Sequence, residues 1–189
     1  MEFAALGSVD ATSLRWLRRE DKTLQFDLLS GDRTLAVLRW NGPNGTLASA
    51  TTASGVWTLK RVGFLNPRVT VRAQGAAEDL AELSVHLNYH RIQLKGGRAF
   101  RFHRAGVLIP AWKVYREDGA ETLHVEPVRA GRKLEGGAVI SPAAATALPE
   151  FLLLAVLSWY FIALAWFEDE AIATLEGPDS APASGTGSS

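Results

Sequence analysis

Residues 148–170 read LPEFLLLAVLSWYFIALAWFEDE. From Phe151 to Phe167, Ser158 is the one residue that is not apolar. Pro149 suits the first position of a helix, where a missing N–H costs nothing, and Glu150 favours the positive end of the helix dipole. From Phe151 onward the apolar residues fall on every side, so no amphipathic stripe faces water. A helix of this kind has to be enclosed, by lipid or by protein. Which of the two encloses it decides the fold.

Lipid is the weaker enclosure. A segment from Phe151 to Phe167 spans about 25 Å as a helix, short of a hydrocarbon core of roughly 30 Å. Its flanks are Glu150 on one side and Glu168, Asp169 and Glu170 on the other, and no Lys or Arg follows it. The positive-inside rule therefore has only the upstream side to act on. Trp159 and Tyr160 sit at mid-segment, whereas a spanning helix keeps such rings near the interfaces; only Trp166 is placed as a belt residue.

The chain before residue 140 supplies a protein enclosure. Its dominant period is two, the mark of half-buried strands. TLQFDLL places Leu24, Phe26 and Leu28 on one face, and RVTVR alternates from Arg68 to Arg72. LSVHLNY groups Leu83, Val85, Leu87 and Tyr89 opposite His86 and Asn88. RAFRFHR sets Phe100 and Phe102 against Arg101 and His103, and TLHVEPV groups Leu123 with Val125. Turn chemistry separates the runs: SGD at 30, NGPNG at 41, LNP at 65, KGG at 95, EDG at 117 and EGG at 135. KGG reads as a tight hairpin. AAEDLAEL, 76–83, reads as a short helix whose end merges into a strand pattern.

The count comes to about a dozen short strands with regular turns, the spacing of a sandwich or barrel. A barrel of twelve strands leaves a lumen too wide for its own side chains, since eight strands already suffice for that. A helix apolar all round fills the space, and each large side chain it buries there contributes about 1.5–3 kcal/mol. The expected fold is mainly β: a closed antiparallel barrel of about twelve strands around a hydrophobic C-terminal central helix. A membrane-spanning helix and a helix buried at an oligomer interface are the other two arrangements. The expected organisation is an N-terminal segment 1–12, a barrel domain 13–176 with its helix at about 149–167, and a tail 177–189. That tail, rich in Gly, Pro, Ser and Ala, cannot repay its ordering entropy and should be disordered.

The 189 residues contain no cysteine, which excludes disulfides, thiolate metal sites and a cysteine nucleophile. The N-terminus shows no basic region followed by an apolar run, so no secretory signal is visible. A cytoplasmic location is expected, with peripheral membrane attachment as an extension of it. The net charge of zero conceals a gradient: all 20 Lys and Arg lie at or before Lys133. Residues 60–116 hold eleven of them against three acids, whereas the last 42 residues hold six acids and no base. Such asymmetry marks either a surface that meets phosphates or a well-solvated exterior.

With the strand series from about Leu14 to Leu134 and the helix from Pro149 to Phe167, the chain resembles the tubby-like superfamily: tubby C-terminal domains, LURP-one-related proteins and phospholipid scramblases. GVWTLKRVGFLNPRVTVR, 55–72, is similar to a strand–turn–strand of that family, with Trp57 and Phe64 as core anchors. The resemblance implies a twelve-stranded barrel around a hydrophobic helix. It also implies phosphoinositide recognition through basic strand residues, as in tubby domains. Two departures matter. Scramblases carry a cysteine-rich palmitoylation segment and an acidic calcium-binding stretch near the final helix. This chain has no cysteine, and EDE at 168–170 lacks the spacing of a calcium loop. Scramblase activity is therefore not carried over.

No phosphate loop, dinucleotide fingerprint, HExxH or GxSxG elbow occurs. Nothing supports an enzyme, no catalytic residue is named and no cofactor is expected. His86 and His90, read along one strand, would lie about 13 Å apart and could not share a metal ion. His103 and His124 read as ordinary strand histidines. Glu168, Asp169 and Glu170 read as a solvated stop to the apolar run, with pairing to arginines on a barrel rim as the other possibility. AIATL, 171–175, extends the helix or adds a last strand.

The binding site expected from the sequence is Lys60, Arg61, Arg68 and Arg72, brought together if 55–64 and 67–73 form a hairpin. Arg68 and Arg72 share a parity, and guanidinium groups suit phosphate in bidentate fashion. The reading is a non-enzymatic module that meets anionic lipid headgroups or a protein partner. The alternative is a β-domain anchored by a transmembrane helix at about 150–167. Nucleic acid is not expected, because exposed aromatics do not interleave with the basic residues.

Overall fold

A computed structural model describes residues 2–19, 24–42, 45–87, 89–106, 111–131 and 133–175, without the side chains of 169–175. The expected tail lies outside the described residues. Twelve strands form one closed antiparallel barrel: β1 (Ser13–Arg18), β2 (Gln25–Ser30), β3 (Arg33–Trp40), β4 (Ala48–Thr52), β5 (Gly55–Val62), β6 (Arg68–Ala73), β7 (Asp79–Val85), β8 (His90–Leu94), β9 (Ala99–Ala105), β10 (Ala111–Arg116), β11 (Glu121–Ala130) and β12 (Lys133–Ile140). Each strand pairs with its neighbours in sequence. β1 closes the ring on β12, from Ser13 opposite Ile140 to Leu17 opposite Gly136. Closure removes every free sheet edge.

Alternation decides which side chains point inward. Val69 and Val71 are buried while Arg68 and Arg72 face out, and Phe100 and Phe102 are buried around an exposed Arg101. Leu123 and Val125 follow the same rule in β11. The KGG hairpin is in place: the Leu94 N–H donates to the Arg98 carbonyl at 2.9 Å. Residues 76–83 are not helical. Asp79–Val85 is strand β7, with Ala81 and Leu83 buried; every residue but Leu80, which falls at a shift of register against β6, is paired to β6 or β8. The helix-favouring residues there yield to pairing on both sides, since strand formation is governed by context.

The chain leaves β12, makes a short helix α1 (Ala143–Thr146), and enters helix α2 (Phe151–Leu175). α2 starts just after Glu150 and continues through Leu175, so it is longer than the span expected from hydropathy, and AIATL extends it. By length and composition Phe151–Glu168 would cross a membrane, yet 61% of that stretch is buried inside the protein. Leu154 to Tyr160 are consecutive residues with no exposure at all. That is nearly two turns of helix covered on every side, so the barrel wall surrounds it.

Aromatic packing ties helix to wall. Trp159 meets Trp16 of β1 and, edge-on, Phe26 of β2 at 5.3 Å between centroids. Tyr160 stacks on Trp40 of β3 at 5.4 Å, and Phe161 lies against Phe102 and Trp112 at 5.7 Å each. Ser158 is buried with its hydroxyl unpartnered among the described residues.

Candidate functional site

The threaded helix gives the barrel two distinct mouths. At the inlet mouth the chain passes from β12 into α2, and Glu150 forms an ion pair with Arg98 of the β8–β9 turn, Nη1 to Oε1 at 2.8 Å. At the exit mouth Glu168 pairs with Arg61 of β5. Glu168 is therefore not merely a solvated stop: it meets a rim arginine, because Arg61 has the inward parity of buried Leu59 and lies where the helix emerges. Phe167 meets Trp40 edge-on at 5.7 Å, and the Arg129 guanidinium lies 4.6 Å from the centre of the Trp166 ring. Tyr160 donates its hydroxyl hydrogen to the Thr46 carbonyl. Burial pushes the Tyr160 hydroxyl well above the ordinary tyrosine range, against the opposing effect of Arg61.

The four expected anion-binding residues do occupy one hairpin, with Val62 opposite Arg68 and Thr58 opposite Arg72. They do not form one cluster. Lys60, Arg68 and Arg72 face outward, whereas Arg61 faces the lumen side of the rim. Arg72 lies away from the exit mouth and is held by Asp79 of β7 at 2.8 Å. Arg68 is near the exit mouth, with Glu82 at 3.5 Å. Among the described residues Lys60 makes no ion pair. These acids belong to the next strand, so their placement depends on a register that spacing alone does not reveal.

The exit mouth also carries a feature the sequence reading missed. Phe64, expected as a core anchor, is 98% exposed, and Leu65 is 87% exposed. The cause is the turn from β5 to β6. Gly63 has φ +85°, and a Cβ there would stand 2.5 Å from the Asn66 carbonyl oxygen. The chain reverses so tightly that the two residues between point into solvent. The next hairpin, β7 to β8, repeats the pattern. The His86 N–H donates to the Tyr89 carbonyl at 3.0 Å, their rings stack at 5.1 Å, and Leu87 is fully exposed. Strand β7 ends at Val85, so Leu87 and Tyr89 do not continue its inner face. The signal available in the sequence was the apolar residue inside a turn, GFLNP and HLNY.

β6 and β7 pair directly, Arg68 opposite Ser84, so the two tips are neighbours on one rim, about 10 Å apart by strand spacing. Arg61 and Arg68 lie beneath them. Arg104, at the rim end of β9, is exposed and makes no ion pair among the described residues.

The hairpin also changes the histidine geometry. His86 and His90 flank a turn instead of lying along one strand. His90 points inward against Phe161, with ring centres 4.5 Å apart. Burial lowers its pKa, with His86 as a smaller cause. Among the described residues no three His, Asp or Glu side chains gather as a metal site. On the outer face of β10 and β11, Glu121 accepts from Lys113 at 2.8 Å and lies 2.9 Å from His124 Nδ1. Burial opposes its charge, but the bonds from Lys113 and His124 prevail and hold its carboxyl below the ordinary range.

Comparison with known proteins finds no matching family model, no matching curated protein and no matching solved structure.

Proposed function

We propose that this chain is a non-enzymatic, tubby-like binding module that docks the exit mouth of its barrel on membranes rich in anionic phospholipid, as a peripheral protein of the cytoplasm. The reading rests on one observation: two adjacent hairpin tips hold Phe64, Leu65 and Leu87 out in water, above a rim that carries Arg61, Arg68 and Arg104. Large apolar side chains at such exposure have no folding role to explain them. A bilayer interface accommodates both halves of the arrangement, apolar tips in the acyl boundary and guanidinium groups at phosphate level.

Magnitudes rank the two halves. Burying each apolar tip contributes about 1.5–3 kcal/mol. Each basic residue near an anionic surface contributes about 1 kcal/mol, and less where an acid already neutralises it, as Glu82 does for Arg68. The tips therefore supply most of the affinity, and the cations supply the preference for anionic lipid. Of the four residues named from the sequence, Lys60, Arg61 and Arg68 belong to this surface. Arg72 belongs to its pair with Asp79.

Vesicle flotation tests the reading. The chain floats with phosphatidylcholine vesicles containing phosphatidylserine or phosphoinositide, and much less with phosphatidylcholine alone. The triple variant Phe64→Ser, Leu65→Ser, Leu87→Ser stops floating while melting like the parent. Charge reversal at Lys60 and Arg68 weakens flotation and its salt dependence. Release by high salt or carbonate accompanies a peripheral mode, whereas retention until detergent belongs to an integral anchor. Flotation unchanged in the triple variant refutes the proposal.

A further inference from the structure

The exit rim carries arginines on its inner side. Arg18 of β1 follows buried Trp16 by two residues, Arg61 follows Leu59 and Arg104 follows Phe102, so all three take the inward parity of their strands. Arg129 of β11 is paired with buried Leu134 and shares that side of the wall. These arginines ring the part of α2 that leaves the barrel. Their engagements differ. Arg18 donates to the Leu134 carbonyl at 3.2 Å, and the Arg129 guanidinium lies over Trp166. Of the ring, Arg61 alone meets an acid among the described residues, and that acid, Glu168, comes from the threaded helix itself.

The pair contributes little to threading. The Arg61 and Glu168 side chains are 36% and 42% exposed, so both charges keep much of their hydration. Such a pair shifts a folding equilibrium by a factor of at most about five. The helix is already held by Trp159, Tyr160 and Phe161 against the wall. What the pair does is occupy a guanidinium whose position is fixed. The Arg61 carbonyl accepts from Thr46 Oγ1 at 3.3 Å, and its backbone stands in register opposite Val69.

A guanidinium offers the same fork of N–H donors to a carboxylate and to a phosphate. Glu168 and a phosphate oxygen therefore compete for Arg61, and an exposed pair is weak enough to be exchanged. We infer, on the reading that this mouth docks on anionic membranes, that Glu168 is a built-in competitor of phosphate at Arg61. The contact is autoinhibitory: the helix holds the guanidinium until a phosphate, from a lipid headgroup or from solution, displaces the carboxylate.

The test uses the whole chain and two phosphate probes: inorganic pyrophosphate in solution, and phosphatidylcholine vesicles containing phosphatidylserine. Pyrophosphate binding is followed by NMR at the Arg61 Nε–H resonance, and vesicle binding by flotation at graded lipid concentration. Glu168→Gln frees Arg61 and is expected to lower the Kd for both probes by about three- to fivefold. Arg61→Gln combined with Glu168→Gln removes the pair at constant net charge and returns vesicle binding to the parent value. Asp79→Asn changes net charge as Glu168→Gln does, but frees Arg72, away from the exit mouth, and leaves both Kd values as in the parent. A pyrophosphate Kd unchanged by Glu168→Gln, a gain reproduced by Asp79→Asn, or a vesicle gain that persists in the double variant overturns the inference. Tighter pyrophosphate binding with no vesicle binding by any variant upholds the competition at Arg61, identifies soluble phosphate as the competing ligand, and refutes the docking reading instead.

Discussion

The indole of Trp159, on the central helix, lies stacked on the indole of Trp16 in β1, with ring centres 5.6 Å apart and planes within 10°. The contact depends on a residue that has no side chain. A Cβ at Gly137 would stand 2.7 Å from Cζ3 of Trp159 and equally close to the Glu126 carbonyl oxygen. Helix and wall approach until only glycine fits. Gly137→Ala should therefore destabilise the fold by about 1–3 kcal/mol, the range for overpacking a dense core. Urea unfolding followed by near-UV circular dichroism measures it, and an unchanged midpoint would mean that the ring does not rest on β12.

Ser158 makes the opposite case. Its hydroxyl is buried in the lumen with no hydrogen-bond partner among the described residues. Ser158→Ala removes that burden and adds helix propensity, and should raise stability by about 1 kcal/mol. A loss of stability on the same substitution would show that the hydroxyl has a partner, such as an internal water.

Tyr160 joins the helix to the β3–β4 connection through its hydrogen bond to the Thr46 carbonyl, while its ring stacks on Trp40. Tyr160→Phe keeps the stack and strands the carbonyl. A cost of about 1–3 kcal/mol is expected, read as a lower unfolding midpoint with the slope unchanged. Tyr160→Leu should cost more, because it loses the stack as well.

His90 gives the fold a pH dependence whose sign can be worked out. Burial, and then His86, lowers its pKa in the folded chain below the ordinary 6.5. When pH falls below that ordinary value, the unfolded chain binds a proton that the folded chain does not. Stability is therefore present above the unfolded value and falls as pH drops toward the folded one. Between pH of about 7.5 and about 5.5, the parent should lose more stability than His90→Phe, in which the aromatic contacts with Phe161 and Trp112 are kept and the titration is removed. Parallel curves for the two proteins would assign the pH dependence elsewhere.

The exposed tips separate binding from folding. Because Phe64 and Leu65 contact solvent instead of core, serine at both positions should leave the unfolding free energy within about 0.5 kcal/mol of the parent, as for surface substitutions generally. A larger loss would place Phe64 back in the core.

The architecture was legible because two signals had one joint solution. Pairs such as Val69 with Val71 and Phe100 with Phe102 mark strands with a single buried face. Phe151–Phe167 has no exposed face at all. A wide barrel needs a filling, and such a helix needs a wall. What local pattern could not resolve was the end of each element. Asp79–Leu83 has helical composition and becomes a strand because β6 and β8 both pair with it. Phe64 has the composition of a core residue and is expelled by the turn at Gly63. The site was legible in part. The basic character of the β5–β6 hairpin was visible, but Asp79, Glu82 and Glu168, which engage three of its arginines, arrive from another strand and from the helix. Neighbours so distant in sequence are set by register and threading, which short-range spacing does not encode.

Threading of the helix through the barrel is the claim on which the rest depends, and the absence of cysteine allows it to be tested in the intact chain. One double variant, Arg98→Cys with Glu150→Cys, probes the inlet mouth; another, Arg61→Cys with Glu168→Cys, probes the exit mouth. Each replaces both members of an ion pair, so no charge is stranded. The measurement is the mass and connectivity of the product after treatment with a short bis-maleimide in detergent-free buffer. The account predicts an intramolecular bridge within a single chain at both mouths. Failure to bridge at either mouth, or bridges found only between chains, would contradict it.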